Sequence, residues 1–128
     1  MSGGYNRAAH TAATELFLPS TGKTCSLAEG PRARDAHTLN QLGDGLIACG
    51  GAPDNGKMCH QFVPSLPYGK WAMSATLRKL RRYHTSVVLG GKLLLLGGLG
   101  WGDNTAEVVG GHQSEGFNLQ QNTRLVLY

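Results

Sequence analysis

The sequence predicts an all-β chain built from repeated four-stranded antiparallel sheets, and two observations carry this prediction. A glycine doublet occurs three times at a constant interval of 47 residues: Gly3-Gly4, Gly50-Gly51 and Gly97-Gly98. Three further residues return at the same interval: Arg34, His37 and Thr38 as Arg81, His84 and Thr85. A period of roughly 40 to 50 residues is the length of one four-stranded propeller blade. The chain is therefore interpreted first as a repeat.

The composition of the chain agrees with a folded β structure. With 19 glycines and 5 prolines in 128 residues, a continuous helical core is disfavoured. Hydrophobic residues make up 41% of the chain and charged residues 16%, which is enough apolar surface for a packed core and argues against disorder. The longest apolar runs have the length of a strand, so no membrane span is predicted. The first residues also show no apolar signal segment.

The first two strands of each repeat end at the glycine doublet. Residues 45–50 and 92–97 are short apolar runs, as in strands buried on both faces. Each follows a glycine-containing turn that favours a tight hairpin. The preceding strands are predicted at residues 36–42 and 83–89. Each repeat therefore contains an antiparallel pair.

The third and fourth strands follow the doublet. After a polar loop, the third strand is predicted at residues 58–63 in one copy and 105–109 in the next. A turn around Pro64 leads to a fourth strand that begins near Trp71, and the corresponding strand of the first copy covers residues 24–27. Because one sheet cannot bury both of its faces, these meanders are expected to stack on one another.

The assembled pattern resembles the kelch repeat of β-propellers. The fullest copy spans residues 52–98 and contains Phe62, Pro64, Trp71, Arg81, His84 and Gly97-Gly98. The resemblance implies a partial propeller with blade segments 1–51, 52–98 and an incomplete 99–128. It also implies structural roles: the doublets let the chain bend where a Cβ would clash, Trp71 packs between blades, and His37 and His84 form hydrogen bonds within the blade.

A basic run occupies residues 78–82 and holds four of the twelve lysines and arginines. In the repeat register it falls on the link between two blades, and its Arg81 corresponds to Arg34. The run is therefore interpreted as a solvated loop, with an anion-binding patch as the alternative. No aromatic residues alternate with these charges to stack on bases, so no nucleic-acid partner is predicted.

Two of the three cysteines lie where a hairpin would bring them together. Cys49 ends one strand and Cys59 begins the next, so a disulfide is geometrically reasonable, and two reduced buried thiols are the alternative. A disulfide fits an oxidising compartment, and an extracellular location is favoured over a cytoplasmic one. Cys25 is left without a partner in this chain.

The sequence contains no arrangement that indicates catalysis. It shows neither paired carboxylates nor a serine elbow. The segment 51–58 approaches a phosphate-binding pattern, but Met58 stands where a hydroxyl residue is required. No catalytic residue, cofactor or metal ligand is predicted.

The predicted function is that of a non-catalytic binding or scaffold module whose loops after the doublets contact a protein partner, or alternatively a glycan. The predicted contact residues are Asp54, Asn55, Trp101, Asp103 and Asn104. The alternative for Trp101 is packing under its own loop. Two alternatives remain open: a fragment of a copper-radical oxidase propeller, which the glycine-rich pattern also resembles, and the substrate-binding propeller of a cullin-type ubiquitin-ligase adaptor. The remaining blades would come from a longer parent chain or from self-association.

Overall fold

The computed structural model describes residues 1–53, 56–99, 105–110 and 114–118, the last range by its backbone alone. These residues form an all-β structure of ten strands and contain no helix. The strands are β1 (Glu15–Leu18), β2 (Lys23–Ser26), β3 (Thr38–Leu42), β4 (Gly45–Cys49), β5 (Met58–Val63), β6 (Lys70–Thr76), β7 (Thr85–Leu89), β8 (Lys92–Leu96), β9 (Thr105–Val109) and β10 (Ser114–Asn118).

The strands form three antiparallel sheets. The N-terminal hairpin consists of β1 and β2, the central sheet has the order β3-β4-β5-β6, and the C-terminal sheet has the order β10-β9-β8-β7. Strands that follow one another in the chain are neighbours in each sheet. The prediction of all-β, four-stranded antiparallel meanders is confirmed for the central and C-terminal sheets. Each of these sheets begins in one 47-residue segment and ends in the next, because the doublet lies between its second and third strands.

Glycine sets the tight turns that begin the two larger sheets. Leu42 pairs with Gly45, which leaves the two-residue turn Gly43-Asp44, and Leu89 pairs with Lys92 around Gly90-Gly91. Gly43 and Gly90 have φ values of 60° and 56°. Two-residue hairpins favour positive φ in the turn, because that twist matches the twist of the strands.

The core lies between the central and C-terminal sheets. Its fully or almost fully buried members are Ile47, Cys49, Cys59, Ala75, Leu77, Leu93, Leu95 and Val109. The first five come from the central sheet or the residue that follows it, and the last three come from the C-terminal sheet. β3 and β7 also contact each other. The two sheets therefore bury each other's apolar faces, as the repeat interpretation predicts.

Two equivalent strands begin two residues later than the sequence predicts, and β2 (Lys23–Ser26) is shifted by one residue from the predicted 24–27. The strands predicted from residues 36 and 83 begin two residues later, at Thr38 and Thr85. Ala36 and Tyr83 both have φ of 52°, in the left-handed region. A residue with that φ cannot belong to an extended strand, so the prediction was wrong at these two equivalent positions.

Candidate functional site

The second glycine doublet lies where the central sheet meets the chain that leads into the C-terminal sheet. Gly50 has a φ of 71°. A Cβ at this position would lie 2.5 Å from the carbonyl oxygen of Arg81 and 2.7 Å from Cε1 of His84. The N–H of Gly51 donates to the same Arg81 oxygen over 2.8 Å. Only glycine allows the two segments to approach this closely.

The first doublet repeats this arrangement. A Cβ on Gly3 would lie 2.5 Å from the Arg34 carbonyl oxygen and 2.8 Å from Cε1 of His37, and the N–H of Gly4 donates to Arg34 over 2.7 Å. The spacing of arginine, histidine and doublet thus has one structural cause. We call each such contact, formed by Gly3, Gly4, Arg34 and His37 or by Gly50, Gly51, Arg81 and His84, a doublet junction.

The second glycine of a doublet faces its own repeat. A Cβ on Gly51 would lie 2.5 Å from the carbonyl oxygen of Asp35, and one on Gly98 would lie 2.8 Å from that of Arg82. Both glycines have φ close to 100°, at 100° and 105° respectively. At the second doublet, a Cβ on Gly50 would meet the following repeat, whereas Gly51 has the Asp35 carbonyl of its own repeat on its Cβ side and donates its N–H to Arg81 of the following repeat. The doublet therefore joins two successive repeats.

The histidine of the second junction forms a bond between sheets. Nε2 of His84 lies 3.0 Å from Oγ1 of Thr38 on β3, and Nδ2 of Asn40 donates to Oγ of Ser86 over 2.6 Å. His37 instead contacts the Ser2 backbone by a hydrogen bond. The expectation that His84 bonds within its own blade was wrong, because its ring lies over Gly50 of the preceding repeat.

Arg81 is fully buried rather than solvated. Its Nε donates to Oε2 of Glu107 over 2.6 Å, and Nη1 donates to the carbonyl oxygens of Gly97 and Thr105 over 2.8 and 2.9 Å. Glu107 is 1% exposed and also accepts from the backbone N–H of Arg78. The interpretation of residues 78–82 as a solvated loop was therefore wrong for Arg81, whose charge is paired inside the structure.

Arg34 occupies the same position one repeat earlier but has another partner. Its Nη1 donates to the carbonyl oxygens of Ala48 and Gly50 over 3.4 and 3.5 Å, and its Nη2 lies 2.5 Å from Nδ1 of His60. A guanidinium only donates, so Nδ1 of His60 must be the unprotonated, accepting nitrogen. His60 stands 47 residues before Glu107 in the sequence.

The surroundings of these histidines favour the neutral ring. Burial, and then the charges of Arg34 and Arg32, lower the pKa of His60 to about 4. Burial, followed by Arg81 and His37 and opposed by Glu107, lowers the pKa of His84 to about 4. The pKa of His37 is also lowered, first by burial and then by Arg34. At neutral pH the three rings are therefore uncharged hydrogen-bonding groups.

Cys49 and Cys59 form a disulfide, which settles the alternatives left by the sequence in favour of a bond. The two residues are direct partners in the β4–β5 register, with Cα atoms 4.1 Å apart, and both side chains are fully buried. The equivalent partners in the C-terminal sheet are Leu96 and Ala106. Cys25, on β2, is a free and exposed thiol.

Trp71 connects the outer strand of the central sheet with the segment that follows the N-terminal hairpin. Its ring contacts Phe62 with a centroid distance of 5.4 Å and a tilt of 57°. Its Nε1–H donates to the carbonyl oxygen of Ala28 over 3.1 Å. The indole ring thus packs against Phe62 while its N–H forms a hydrogen bond, as half-buried tryptophans commonly do.

The predicted contact residues Asp54, Asn55, Trp101, Asp103 and Asn104 lie outside the described residues. The points where their loops leave and re-enter the sheets are described. The N–H of Gly50 donates to Met58 over 3.1 Å, and that of Gly97 donates to Thr105 over 3.0 Å. Both loops therefore begin and end at equivalent points of two neighbouring sheets.

Sequence reasoning missed three partners of the junction side chains, which are His60 for Arg34, Glu107 for Arg81 and Thr38 for His84. A signal for the first two was present, because both stand in third strands and are separated by the repeat interval of 47 residues. Their different chemistry hides the relation, since a search for identical residues does not pair histidine with glutamate.

Comparisons with protein-family models and with curated proteins give no match to this sequence. Within the described residues, no helix is long and apolar enough to cross a membrane. The same part of the chain contains no group of three or more histidine, cysteine, aspartate or glutamate side chains that could hold a metal ion.

Proposed function

We propose that this chain is a binding module of the kelch-like propeller class, in which stacked sheets present the loops after the glycine doublets to a protein partner. The observation that carries the proposal is the doublet junction. It fixes the base of the loop that follows Gly50-Gly51, through contacts of both glycines with Arg81. A loop that begins and ends on rigid backbone loses less entropy on binding, which favours its use as a contact surface.

The buried arginines and histidines support a structural rather than a chemical role for the repeated residues. Arg34, Arg81 and His84 form hydrogen bonds to their own chain. Binding therefore falls to the loops, where Trp101 would act as an aromatic anchor beside Asp103 and Asn104. A protein partner is the main proposal, and a glycan is the alternative ligand for the same loops.

The disulfide supports an extracellular setting for this module. Disulfides persist in oxidising compartments and are rare in the cytosol. The Cys49–Cys59 bond therefore favours an extracellular binding module over a cytosolic ubiquitin-ligase adaptor. The other alternative, a copper-radical oxidase fragment, stays a prediction.

The test compares the chain with two loop variants, D54A/N55A and W101A/D103A/N104A. The immobilised proteins are exposed to secreted proteins of the organism that encodes the chain, and bound proteins are identified by mass spectrometry. We expect a partner that binds the unmodified chain and is reduced at least about tenfold on one loop variant, equivalent to about 1.4 kcal/mol. Thermal unfolding of all three proteins checks that the sheets are intact.

Equal binding by the unmodified chain and by both loop variants would contradict the assignment of the loops. A partner lost only after enzymatic removal of its sugars would instead identify the glycan alternative. A matched control is L66S, because Leu66 is 98% exposed and lies in the turn after β5, whereas the loop that follows Gly50-Gly51 lies before β5. The loop partner should bind this control normally.

A further inference from the structure

The segment that joins the central and C-terminal sheets has a basic outer side. Arg78, Lys79 and Arg82 lie between β6 and β7, and all three are exposed. Arg81, in the same run, points inward and is fully buried. We call residues 77–82 the basic link.

The backbone of the basic link is held along its length. The N–H of Leu77 donates to the carbonyl of Lys57 over 2.6 Å, and that of Lys79 donates to Glu107 over 3.4 Å. The carbonyl of Arg82 accepts from the residue after the third doublet over 2.8 Å. Because Lys57 is also exposed, the first of these bonds brings a further cation beside the link. A surface whose backbone is already ordered loses less entropy when it binds.

The exposed charges of the basic link are not balanced by a described carboxylate. Glu107 is 1% exposed, and its charge is paired with Arg81. Lys57, Lys79 and Arg82 form no ion pair with another described residue. Cations held together at a surface create a positive potential that attracts anions.

The link that leads into the central sheet, residues 30–35, carries a cation at the equivalent position. Arg32 stands 47 residues before Lys79 and is also exposed. The N–H of Gly30 donates to the carbonyl of Ala12 over 2.8 Å, which matches the bond of Leu77 one repeat later. Sheets packed face to face lie about 10 Å apart. The two links therefore place cations in a row, on the side of the sheets where the doublets lie.

A row of cations on successive links favours an extended anion over a small one. A linear polyanion contacts both links at once, and linked contacts raise the overall affinity. Nucleic acids also use aromatic side chains on which bases stack, and the basic run 78–82 contains none. The Cys49–Cys59 disulfide favours an extracellular setting, where polyanions include sulfated polysaccharides.

We propose that the two links bind a sulfated polysaccharide through Arg32, Lys57, Lys79 and Arg82. The choice of this class rests on the extracellular setting proposed above. The site itself uses none of the residues that are changed in the two loop variants.

The test measures binding to immobilised heparin, a sulfated polysaccharide, by surface plasmon resonance. We expect a Kd on the order of 10 µM near physiological salt, within the range of basic proteins on polyanions. K79A/R82A should bind at least about fivefold more weakly, and R32A about twofold or more. The affinity should also fall less steeply with salt in K79A/R82A, because binding releases fewer counterions.

The matched control is K70A/K92A. It removes the same charge from exposed side chains where β6 and β8 begin, at the opposite end of the sheets. Its affinity should stay within about twofold of the unmodified chain, because charges more than about 8 Å away are largely screened at this salt concentration. Thermal unfolding checks that each variant folds. The hydrogen bonds described above for Lys79 and Arg82 use backbone groups, which alanine retains.

Four results would overturn the proposal. These are no measurable binding up to about 100 µM protein, equal affinity of K79A/R82A and the unmodified chain, an equal loss in K70A/K92A, and equal binding of desulfated heparin. Poly-glutamate or single-stranded DNA bound as tightly as heparin would also overturn it, and would assign the links to an acidic protein or a nucleic acid. The loop partner is measured with the loop variants, so either proposal can fail alone.

Discussion

The central and C-terminal sheets each bury an arginine, but they pair it with different partners. Each receives a buried arginine from the chain segment that precedes it, at the same position of the 47-residue repeat. Arg81 meets the carboxylate of Glu107 at 2.6 Å, whereas Arg34 meets the neutral ring nitrogen of His60 at 2.5 Å. Both arginines also donate to the carbonyl of the first doublet glycine, Gly97 or Gly50.

The difference between the two pairs lies in charge balance. The Arg81–Glu107 pair is neutral overall, so its burial is compensated. Among the described residues Arg34 has no carboxylate partner, and burial followed by Arg32 lowers its pKa. The central sheet thus retains an uncompensated positive charge beside a titratable group. The repeat conserves the geometry of the site, while its electrostatics differ from copy to copy.

The largest effect is expected from E107Q. This change keeps the shape of Glu107 but removes the charge that compensates Arg81, which is 0% exposed. Breaking a buried ion pair at one partner costs about 3 to 5 kcal/mol. Urea unfolding measures the free energy of unfolding.

The matched change in the central sheet is H60Q, which keeps a neutral acceptor for Arg34. We expect a loss several times smaller than that of E107Q, because no charge pair is broken. Equal losses in the two variants would show that the charge of Glu107 is unimportant and that only its hydrogen bonds matter.

The second effect concerns the cross-strand pair next to each arginine site. The central sheet has the Cys49–Cys59 disulfide where the C-terminal sheet has Leu96 and Ala106. Loss of the disulfide in C49S/C59S is expected to cost about 2 to 4 kcal/mol, because the unfolded chain gains freedom. C49L/C59A copies the other sheet and should recover part of this loss through apolar packing. If it is no more stable than C49S/C59S, packing does not substitute for the bond.

The third prediction is a loss of stability in mild acid. The pKa of His60 and of His84 is about 4 in the folded chain, against an ordinary value of about 6.5 in the unfolded chain. As the pH falls below about 6.5, protons bind the unfolded state first, so folding becomes weaker until the folded pKa is reached. Between about pH 7 and pH 5 we expect each histidine to cost about 1 to 2 kcal/mol after allowance for solvent screening.

The variant H60E sharpens this comparison, because it gives Arg34 the same type of partner as Arg81. Its free energy of unfolding should fall less between about pH 7 and pH 5 than that of the unmodified chain. The remaining fall comes from His84 and from His37, which face Arg81 and Arg34. An unchanged pH dependence in H60E would show that His60 does not contribute to the loss of stability in acid.

The smallest effect is expected from T38V. It removes the hydroxyl that bonds Nε2 of His84 across the two sheets. One neutral hydrogen bond contributes about 0.5 to 1.5 kcal/mol. T85V is the control at the equivalent, exposed position of the next sheet and should lose less in thermal unfolding. A larger loss in T85V would mean that the cross-sheet bond is not the stronger contact.

The strands and their antiparallel pairing were predictable from the sequence, because their signals are local and repeated. Apolar runs ending in glycine doublets located the strands, and strand pairing of Cys49 with Cys59 followed from a hairpin between them. The burial of Arg81 was not predictable from its basic neighbours, because its partner Glu107 lies 26 residues away. The cavity between the N-terminal hairpin and the central sheet was not predicted, for a similar reason. It forms from Leu16, Leu46 and Leu66, which no sequence pattern relates.

The doublet junction also bears on how this chain could be altered or engineered. At the base of the loop that follows Gly50-Gly51, the N–H of Gly51 donates to the carbonyl of Arg81, and the N–H of Arg81 donates to the carbonyl of Gly56. None of these bonds uses the side chains at positions 53–55. Substitution of Asp54 or Asn55 therefore removes none of these backbone bonds, which makes this loop a suitable place to introduce a library of new sequences.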